Sequence, residues 1–130
     1  MVNNRRIYNT SNHSDVRKLK IESLLQSKLA EIFLFLSFDK PLFKRISITR
    51  VLLSDTKSCA FIYVVPNGTI TDFDKFLKNF DNYMGLIRKK ISDSMELRHY
   101  PRFSLRVDTV FMEQERVNML IDQLKEEGKI

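Results

Sequence analysis

The chain shows no apolar periodicity over its first 14 residues, and a regular pattern begins at Asp15. From there, apolar residues recur at three- and four-residue spacing, which is the spacing of one face of an amphipathic helix. The pattern predicts a long first helix that ends before Pro41, preceded by a flexible basic arm. The positions that form the apolar stripe are Ile21, Leu25, Leu29, Ile32 and Leu36.

Three later segments have the two-residue period of β-strands. Residues 45–51 are rich in β-branched side chains, and residues 59–65 are apolar on both faces, which is typical of a central strand. A polar turn separates these two segments, so they are predicted to form an antiparallel hairpin, with a β-bulge where the phase shifts near residues 51–53. The third segment, residues 102–107, predicts a strand with one buried and one basic face.

Two helical stretches lie between the second and third strands, and another ends the chain. Thr71 or Asp72 is a candidate N-cap for the first of them, and Gly85 lies at the junction between the two. Because glycine has no β-carbon, this junction is predicted to bend or to approach another backbone closely. The order α-β-β-α-kink-α-β plus a C-terminal helix predicts an α+β domain with helices on one face of a three-stranded sheet.

The domain organisation follows from these patterns and from the charge. Residues 1–14 are assigned to the arm, residues 15–110 to a basic domain, and residues 111–130 to a C-terminal amphipathic helix and tail. The chain has 22 Lys and Arg against 16 Asp and Glu, for a net charge of +6. Residues 1–110 carry +8 and residues 111–130 carry −2. A basic body favours a polyanionic partner.

Composition also bears on the compartment. The single cysteine, Cys59, excludes an intramolecular disulfide and fits a reducing environment. No apolar run approaches the roughly 18–20 residues of a membrane span. The sequence therefore predicts a cytoplasmic protein with no membrane partner.

The sequence contains none of the common catalytic motifs considered next. The chain has no glycine-rich phosphate loop, no nucleophile elbow and no His-Glu-x-x-His sequence, and His13 and His99 are isolated. Cys59 is interpreted as a small core residue, and Asp72 and Asp74 as first-turn residues of a helix that cap it and offset its dipole. The prediction is a non-catalytic protein with no cofactor and no metal site.

With catalytic motifs excluded, the basic residues are the remaining candidates for a functional site. They fall into four groups: one on the first helix, one at the first strand, one after Gly85 and one around the last strand. Phosphate neutralisation by these groups predicts nucleic-acid binding. The candidate RNA-binding residues are Arg17, Lys20, Lys28, Lys44, Arg45, Arg88, Lys89, Lys90, Arg98, Arg102 and Arg106.

Three aromatic residues, Tyr83, Tyr100 and Phe111, lie at positions where their rings could stack on unpaired bases. The alternative is that they cover the edge of the core. For Phe111 we favour the core-edge interpretation.

Six local segments, in order and at compatible spacing, resemble the bacterial ribosome-binding factor A family, whose element order is that of a type II KH domain. Tyr83 departs from the family pattern, which has a small residue there. The chain shares with the family the absence of a Gly-x-x-Gly loop. The matching segments are Lys20-Ile21 with residues 24–32, residues 48–51, Ser54 with Ala60, Gly85-Leu86-Ile87-Arg88, Leu97-Arg98-His99-Tyr100-Pro101, and Asp108.

The resemblance implies a function as well as a fold. Members of this family bind free or immature small (30S) ribosomal subunits, assist late 16S rRNA maturation including its 5′ end, and support growth in the cold. It implies a monomeric, non-catalytic assembly factor that an assembly GTPase or an initiation factor releases. Two alternatives stay open: a general KH-type binder of single-stranded RNA or DNA, and a protein-interaction module whose charge serves only solubility.

Overall fold

A computed structural model describes residues 13–128, with side chains from residue 16 onward. The observed order confirms the predicted sequence of elements. Residues 13 and 14, assigned above to the arm, belong to the first helix, and the rest of the predicted arm, residues 1–12, lies outside the described residues. The elements are α1 (His13–Leu36), a 3₁₀ turn (Pro41–Lys44), β1 (Ile46–Leu53), β2 (Cys59–Pro66), α2 (Phe73–Lys78), a second 3₁₀ turn (Asn79–Tyr83), α3 (Met84–Ser94), β3 (Arg102–Val107) and α4 (Thr109–Glu126).

The three strands form one mixed sheet in the order β1-β2-β3, so β2 is central as predicted. β1 and β2 pair antiparallel, which confirms the hairpin. β3 pairs parallel to β2, from Cys59 opposite Arg102 to Val64 opposite Val107. A parallel pair needs a crossover connection, which α2, the second 3₁₀ turn and α3 provide.

A β-bulge in β1 accounts for the phase shift seen in the sequence. Ile48 pairs with Val64, but the next paired residue is Arg50, opposite Tyr63, so Thr49 is left over. The extra residue shifts the alternation by one position. Residues on both sides of the bulge can therefore face the core. The bulge lies at Thr49, two residues before the segment 51–53 where the phase shift predicted it.

One apolar core fills the space between one face of the sheet and the helices α1 and α3. β2 contributes every second residue to it, while the helices contribute their apolar stripes. Burial of these side chains is the main force that holds the helices on the sheet. The fully buried members are Leu25, Leu29, Ala60, Ile62, Val64, Phe80, Ile87 and Ile91.

An aromatic cluster fixes the bend between α2 and α3. The ring of Phe43 lies 5.1 Å from that of Phe33 and 5.0 Å from that of Phe80, both edge-to-face. Tyr83, at the end of the second 3₁₀ turn, packs edge-to-face on Phe43 at 5.5 Å. Such aromatic pairs add roughly 0.5–1.5 kcal/mol each beyond area burial. The ring of Tyr83 thus anchors the kink to the 3₁₀ turn after α1.

Gly85 lies next to the kink, but the structure does not require glycine there. The bend itself is formed by the 3₁₀ turn, Asn79–Tyr83, and Gly85 belongs to α3. A β-carbon built on Gly85 would meet no heavy atom within 4 Å, and its φ is not positive. The prediction that Gly85 forms the structural kink is therefore wrong. Neither a close approach of another segment nor a left-handed backbone conformation requires glycine at this position.

Replacing Gly85 with alanine is expected to raise the free energy of unfolding by about 0.5–1 kcal/mol, because alanine has the higher helix propensity and the added methyl group meets open space. Urea unfolding followed by circular dichroism measures this. Gly68→Ala is the opposite control, since Gly68 has φ +91° and a side chain is strained there. A destabilised Gly85→Ala variant would contradict this account of the kink.

The outer edge of β1 is covered by side chains of α1. The backbone N–H of Leu53 donates to Glu22 Oε2 at 2.7 Å, and Gln26 Nε2 donates to the carbonyl of Thr49 at 3.2 Å. Glu22 is buried, so this hydrogen bond also satisfies a carboxylate that has left water. The helix is therefore tied to the strand by polar bonds as well as by the core.

The predicted C-terminal helix is present as α4, but it buries no residue. Its contacts with the sheet are near the end of β2. Its apolar residues remain exposed, so α4 stands apart from the core. No helix within residues 13–128 is long and apolar enough to cross a membrane.

Candidate nucleic-acid interface

The sheet face opposite the core, here called the open face, carries aromatic residues from the central strand. Ala60, Ile62 and Val64 of β2 enter the core, and Cys59, Phe61 and Tyr63 between them are half-buried on the open face, whereas Val65, the next residue in this alternation, is buried. Cys59 is therefore not the core residue that the sequence predicted, because its position in the alternation points it away from the helices. The two aromatic residues lie two positions apart on the same strand.

Arginine side chains from the two outer strands lie over these rings. The guanidinium carbon of Arg50 is 4.3 Å from the ring centre of Tyr63, and that of Arg106 is 4.4 Å from the ring centre of Phe61. Arg102, exposed, is paired in register with Cys59 on the same face. The sheet-face cluster is defined as Arg50, Phe61, Tyr63, Arg102 and Arg106.

Asp108 holds Arg50 in place. This buried carboxylate accepts hydrogen bonds from Thr49 Oγ1 at 2.5 Å and from the N–H of Phe111 at 3.0 Å, and Arg50 Nε lies 3.4 Å from Oδ2. Burial acts to raise the pKa of Asp108, but the two hydrogen bonds and the Arg50 charge outweigh it and leave the pKa below its ordinary value. Asp108 thus joins the bulge of β1, the end of β3 and the start of α4.

The basic group after Gly85 spreads around the exposed side of α3. Arg88 Nη2 donates to the carbonyl of Tyr100 at 3.3 Å, on the side towards the connector to β3. Lys90 Nζ lies 4.7 Å from the ring centre of Phe35, on the side towards α1, and Lys89 is exposed between them. These three residues are named the α3 cations. Within the described residues, none of them lies within 4 Å of a carboxylate oxygen.

Not all of the predicted basic residues on α1 are free to bind phosphates. Lys28 is half-buried, with its Nζ 3.9 Å from Glu31 Oε1, so its charge is partly matched. Arg17 and Lys20 are exposed. Because α1 packs on the core face of the sheet, its outer surface points away from the open face.

The remaining candidates lie near the ends of β1 and α3. Lys44 is exposed, and the guanidinium of Arg45 lies 5.1 Å from the ring centre of Phe76, beside α2. Arg98 is exposed in the connector before β3. The predicted basic residues therefore do not form a single surface: the sheet separates Arg102 and Arg106 from the α3 cations and the α1 residues.

The aromatic residues singled out in the sequence take other positions. Tyr83 packs in the core cluster, and the hydroxyl of Tyr100 donates to the carbonyl of Met95 at 2.5 Å while its ring packs against the core, so both cover the core edge. Phe111 is 41% exposed on α4, beside Val65. Arg50, Phe61 and Tyr63 were not among the residues predicted from the sequence, although the alternation of β2 places both rings on one face.

The two acidic residues considered in the sequence have structural positions at the start of α2. Asp72 Oδ1 accepts from the N–H of Lys75 at 3.3 Å, which confirms that it caps α2. Asp74 lies in the first turn of that helix. Within residues 16–128, no group of three or more His, Cys, Asp or Glu side chains is arranged to hold a metal ion.

The mixed three-stranded sheet, with α1 and the kinked α2–α3 pair on one face, defines a KH-like α+β domain. The family model described as ribosome-binding factor A matches residues 17–121. That span runs from the first turns of α1 into α4. The chain belongs to the ribosome-binding factor A family.

Individual relatives agree with this assignment. The chain is 30% identical over 87 residues to ribosome-binding factor A of Syntrophomonas wolfei, covering 67% of this chain and 71% of the relative. It is 27% identical over 108 residues to that of Syntrophus aciditrophicus, covering 83% and 87%.

Solved structures show the same fold. The crystal structure of ribosome-binding factor A from Thermus thermophilus superposes with a TM-score of 0.60 at 20% identity, covering 69% of this chain and 93% of that one. The solution structure of a candidate ribosome binding factor A from Thermotoga maritima also gives 0.60, at 26% identity, covering 69% and 85%.

Proposed function

We propose that this protein is a non-catalytic ribosome assembly factor that binds free or immature small ribosomal subunits and assists late 16S rRNA maturation, including that of the 5′ end. The observation that carries the proposal is the set of α3 cations, which have no carboxylate within 4 Å among the described residues. Unpaired cations on a rigid helix are suited to the phosphates of folded RNA. The family to which the chain belongs, whose relatives are named for ribosome binding, supports this partner.

The proposed mechanism is electrostatic. Arginine and lysine side chains neutralise phosphates where rRNA helices approach one another, which stabilises one arrangement of the RNA over misfolded competitors. RNA traps deepen at low temperature, so the same bias supports a role in cold adaptation. The protein acts in the cytoplasm as a monomer, other proteins carry out any cleavage, and an assembly GTPase or an initiation factor releases it.

Sucrose-gradient co-sedimentation with purified bacterial small subunits tests the proposal. The protein is expected to migrate with the subunits at low salt and to dissociate as salt rises. For contacts that release counterions, the logarithm of the binding constant falls with the logarithm of salt concentration by about 0.7–0.9 per phosphate contact. Failure to migrate with small subunits even at low salt would overturn the proposal.

A second candidate, a general KH-type binder of single-stranded RNA or DNA, is favoured by one specific observation. The sheet-face cluster combines two aromatic rings with three arginines, residue types that bind unpaired nucleotides. Tight binding to short single strands together with no binding to small subunits would favour this candidate over the assembly factor.

A further inference from the structure

The sheet-face cluster is layered. Phe61 and Tyr63 are half-buried against the sheet, and the guanidinium groups of Arg106 and Arg50 lie over them. Both arginines are exposed, and the side chain of Arg50 retains 45% of its accessible surface. Each guanidinium group, which is planar, therefore has its central carbon within 4.4 Å of a ring centre, while the arginine residue as a whole stays accessible from solvent.

We propose that these two guanidinium planes are stacking platforms for the bases of an unpaired RNA segment. The proposal rests on the proposed function, since it takes rRNA as the source of the segment, and it names a site separate from the α3 cations. Arginine planes and aromatic rings are the groups on which proteins stack splayed-out bases. A guanidinium fixed by a ring beneath it loses little freedom when a base covers it.

The charge of the open face supports an RNA ligand. Asp108 offsets the charge of Arg50 through its 3.4 Å contact. Arg102 and Arg106 have no carboxylate oxygen within 4 Å among residues 16–128. Arg102 therefore lies beside the stacking platforms as an uncompensated cation, and the edge N–H groups of Arg102 and Arg106 can bind the phosphates that connect the stacked bases.

The geometry favours a single strand over a duplex. Residues two apart on one face of a strand are separated by about 6.6 Å, so the rings of Phe61 and Tyr63 place the two platforms within reach of successive nucleotides of an extended chain. A base in an A-form helix is already stacked on both sides, and the deep, narrow major groove excludes a sheet surface. The occupant is therefore two or three unpaired nucleotides.

The substitution Arg106→Lys separates stacking from simple charge attraction. Lysine keeps the positive charge but has no planar group on which a base can stack. With a fluorescently labelled eight-nucleotide single-stranded RNA of mixed sequence, fluorescence anisotropy is expected to show affinity about tenfold lower than that of the unchanged protein. Arg116→Lys is the matched control, because Arg116 is an exposed arginine on α4 that is paired with Glu113 at 3.6 Å and is not part of the sheet-face cluster, so this variant should bind normally.

Other measurements make the outcome decisive. Arg106 is exposed, so the variant should keep the circular dichroism spectrum and urea midpoint of the unchanged protein. A duplex of the same sequence should bind more weakly and should be insensitive to Arg106→Lys. Unchanged single-strand affinity in Arg106→Lys, or equal losses in Arg106→Lys and Arg116→Lys, would overturn the stacking site.

The experiments distinguish failure of the proposed assembly function from failure of the proposed stacking site. If the unchanged protein migrates with small subunits but Arg106→Lys loses no single-strand affinity, the stacking site is wrong and the assembly function stands. If Arg106→Lys loses single-strand affinity but the unchanged protein ignores small subunits, the site stands and its assignment to rRNA is wrong.

Discussion

Reversing the α3 cations, Arg88, Lys89 and Lys90, to glutamate is expected to lower affinity for small ribosomal subunits by at least about 100-fold. The substitution turns three attractive charges into three repulsive ones, and hydrogen bonds to charged groups contribute roughly 1.5–3 kcal/mol each. Co-sedimentation at fixed low salt, quantified across a protein titration, measures the change. The salt dependence of any residual binding should also be shallower, because fewer phosphates are neutralised.

Two variants control for net charge and for folding. Arg116→Glu reverses an exposed charge on α4 and should bind almost normally. Neutral glutamine at the three α3 positions should give an intermediate loss, and far-ultraviolet circular dichroism should show both α3 variants folded. If the triple reversal still binds small subunits as the unchanged protein does, the α3 surface is not the interface. A protein-interaction module would then be favoured, provided that the variant also keeps a protein partner.

Replacing Asp108 with alanine is expected to lower the free energy of unfolding by about 2–3 kcal/mol. The change removes the N-cap of α4 and the acceptor for Thr49, and it leaves Arg50 without its carboxylate. Urea unfolding at neutral pH measures the loss. Asparagine should recover part of it, because its single side-chain oxygen can take the place of Oδ1 and cap the helix, whereas the NH2 group in the place of Oδ2 cannot accept from Thr49.

Asp108 should also make stability depend on pH. The pKa of Asp108 is lowered in the folded protein, so its ionised form contributes stability that is present above the ordinary pKa of about 3.9 and is lost as pH falls through the folded-state pKa. The stability difference between the unchanged protein and Asp108→Asn should therefore shrink in acid. Asp55→Asn, at a fully exposed carboxylate, is the control. A difference that stays constant down to about pH 2, below the ordinary carboxyl range, would contradict the assignment.

The sequence was informative wherever one periodicity dominated. The apolar stripe of α1, from Ile21 to Leu36, correctly predicted the face that packs into the core, because the period of the pattern reports the side of the element that meets the core. In β3 the alternation correctly predicted that Phe103 and Leu105 pack against the core, but they are half-buried and not buried. The phase shift in β1 likewise reported a real bulge. The parallel pairing of β3 with β2 could not be read from these local patterns, since strand direction is set by the crossover.

The sheet-face cluster was missed for a physical reason. Residues 59–65 are apolar at nearly every position, so the pattern predicted a central strand but did not distinguish the core face of β2 from the opposite face. In the fold, arginines from β1 and β3 cover Phe61 and Tyr63 instead of a second helical layer. An aromatic residue can lie on an uncovered face of a sheet when arginine side chains of the adjacent strands cover its ring. Which arginines lie beside which ring depends on the strand register, which the sequence alone does not show.

Single-residue inferences at the kink were the weakest part of the prediction. Gly85 suggested a close approach, but the bend depends on Phe43, Phe80 and Tyr83, which converge from separate parts of the chain. Likewise, the amphipathic pattern of α4 indicated a helix but not that its apolar side would stay uncovered. Periodicity specifies that a face is apolar, whereas the tertiary arrangement decides what it meets.

The polar contacts of α1 with β1 have a consequence for association between molecules. An uncovered edge strand offers a row of amides and carbonyls onto which another chain can add a strand, which is a common start of aggregation. Here Glu22 and Gln26 already occupy Leu53 N–H and the Thr49 carbonyl, one on each side of Val51. An incoming strand would have to displace both side chains, which would leave the buried Glu22 carboxylate without its hydrogen-bond donor. This edge of the sheet is therefore protected against growth into larger β-assemblies.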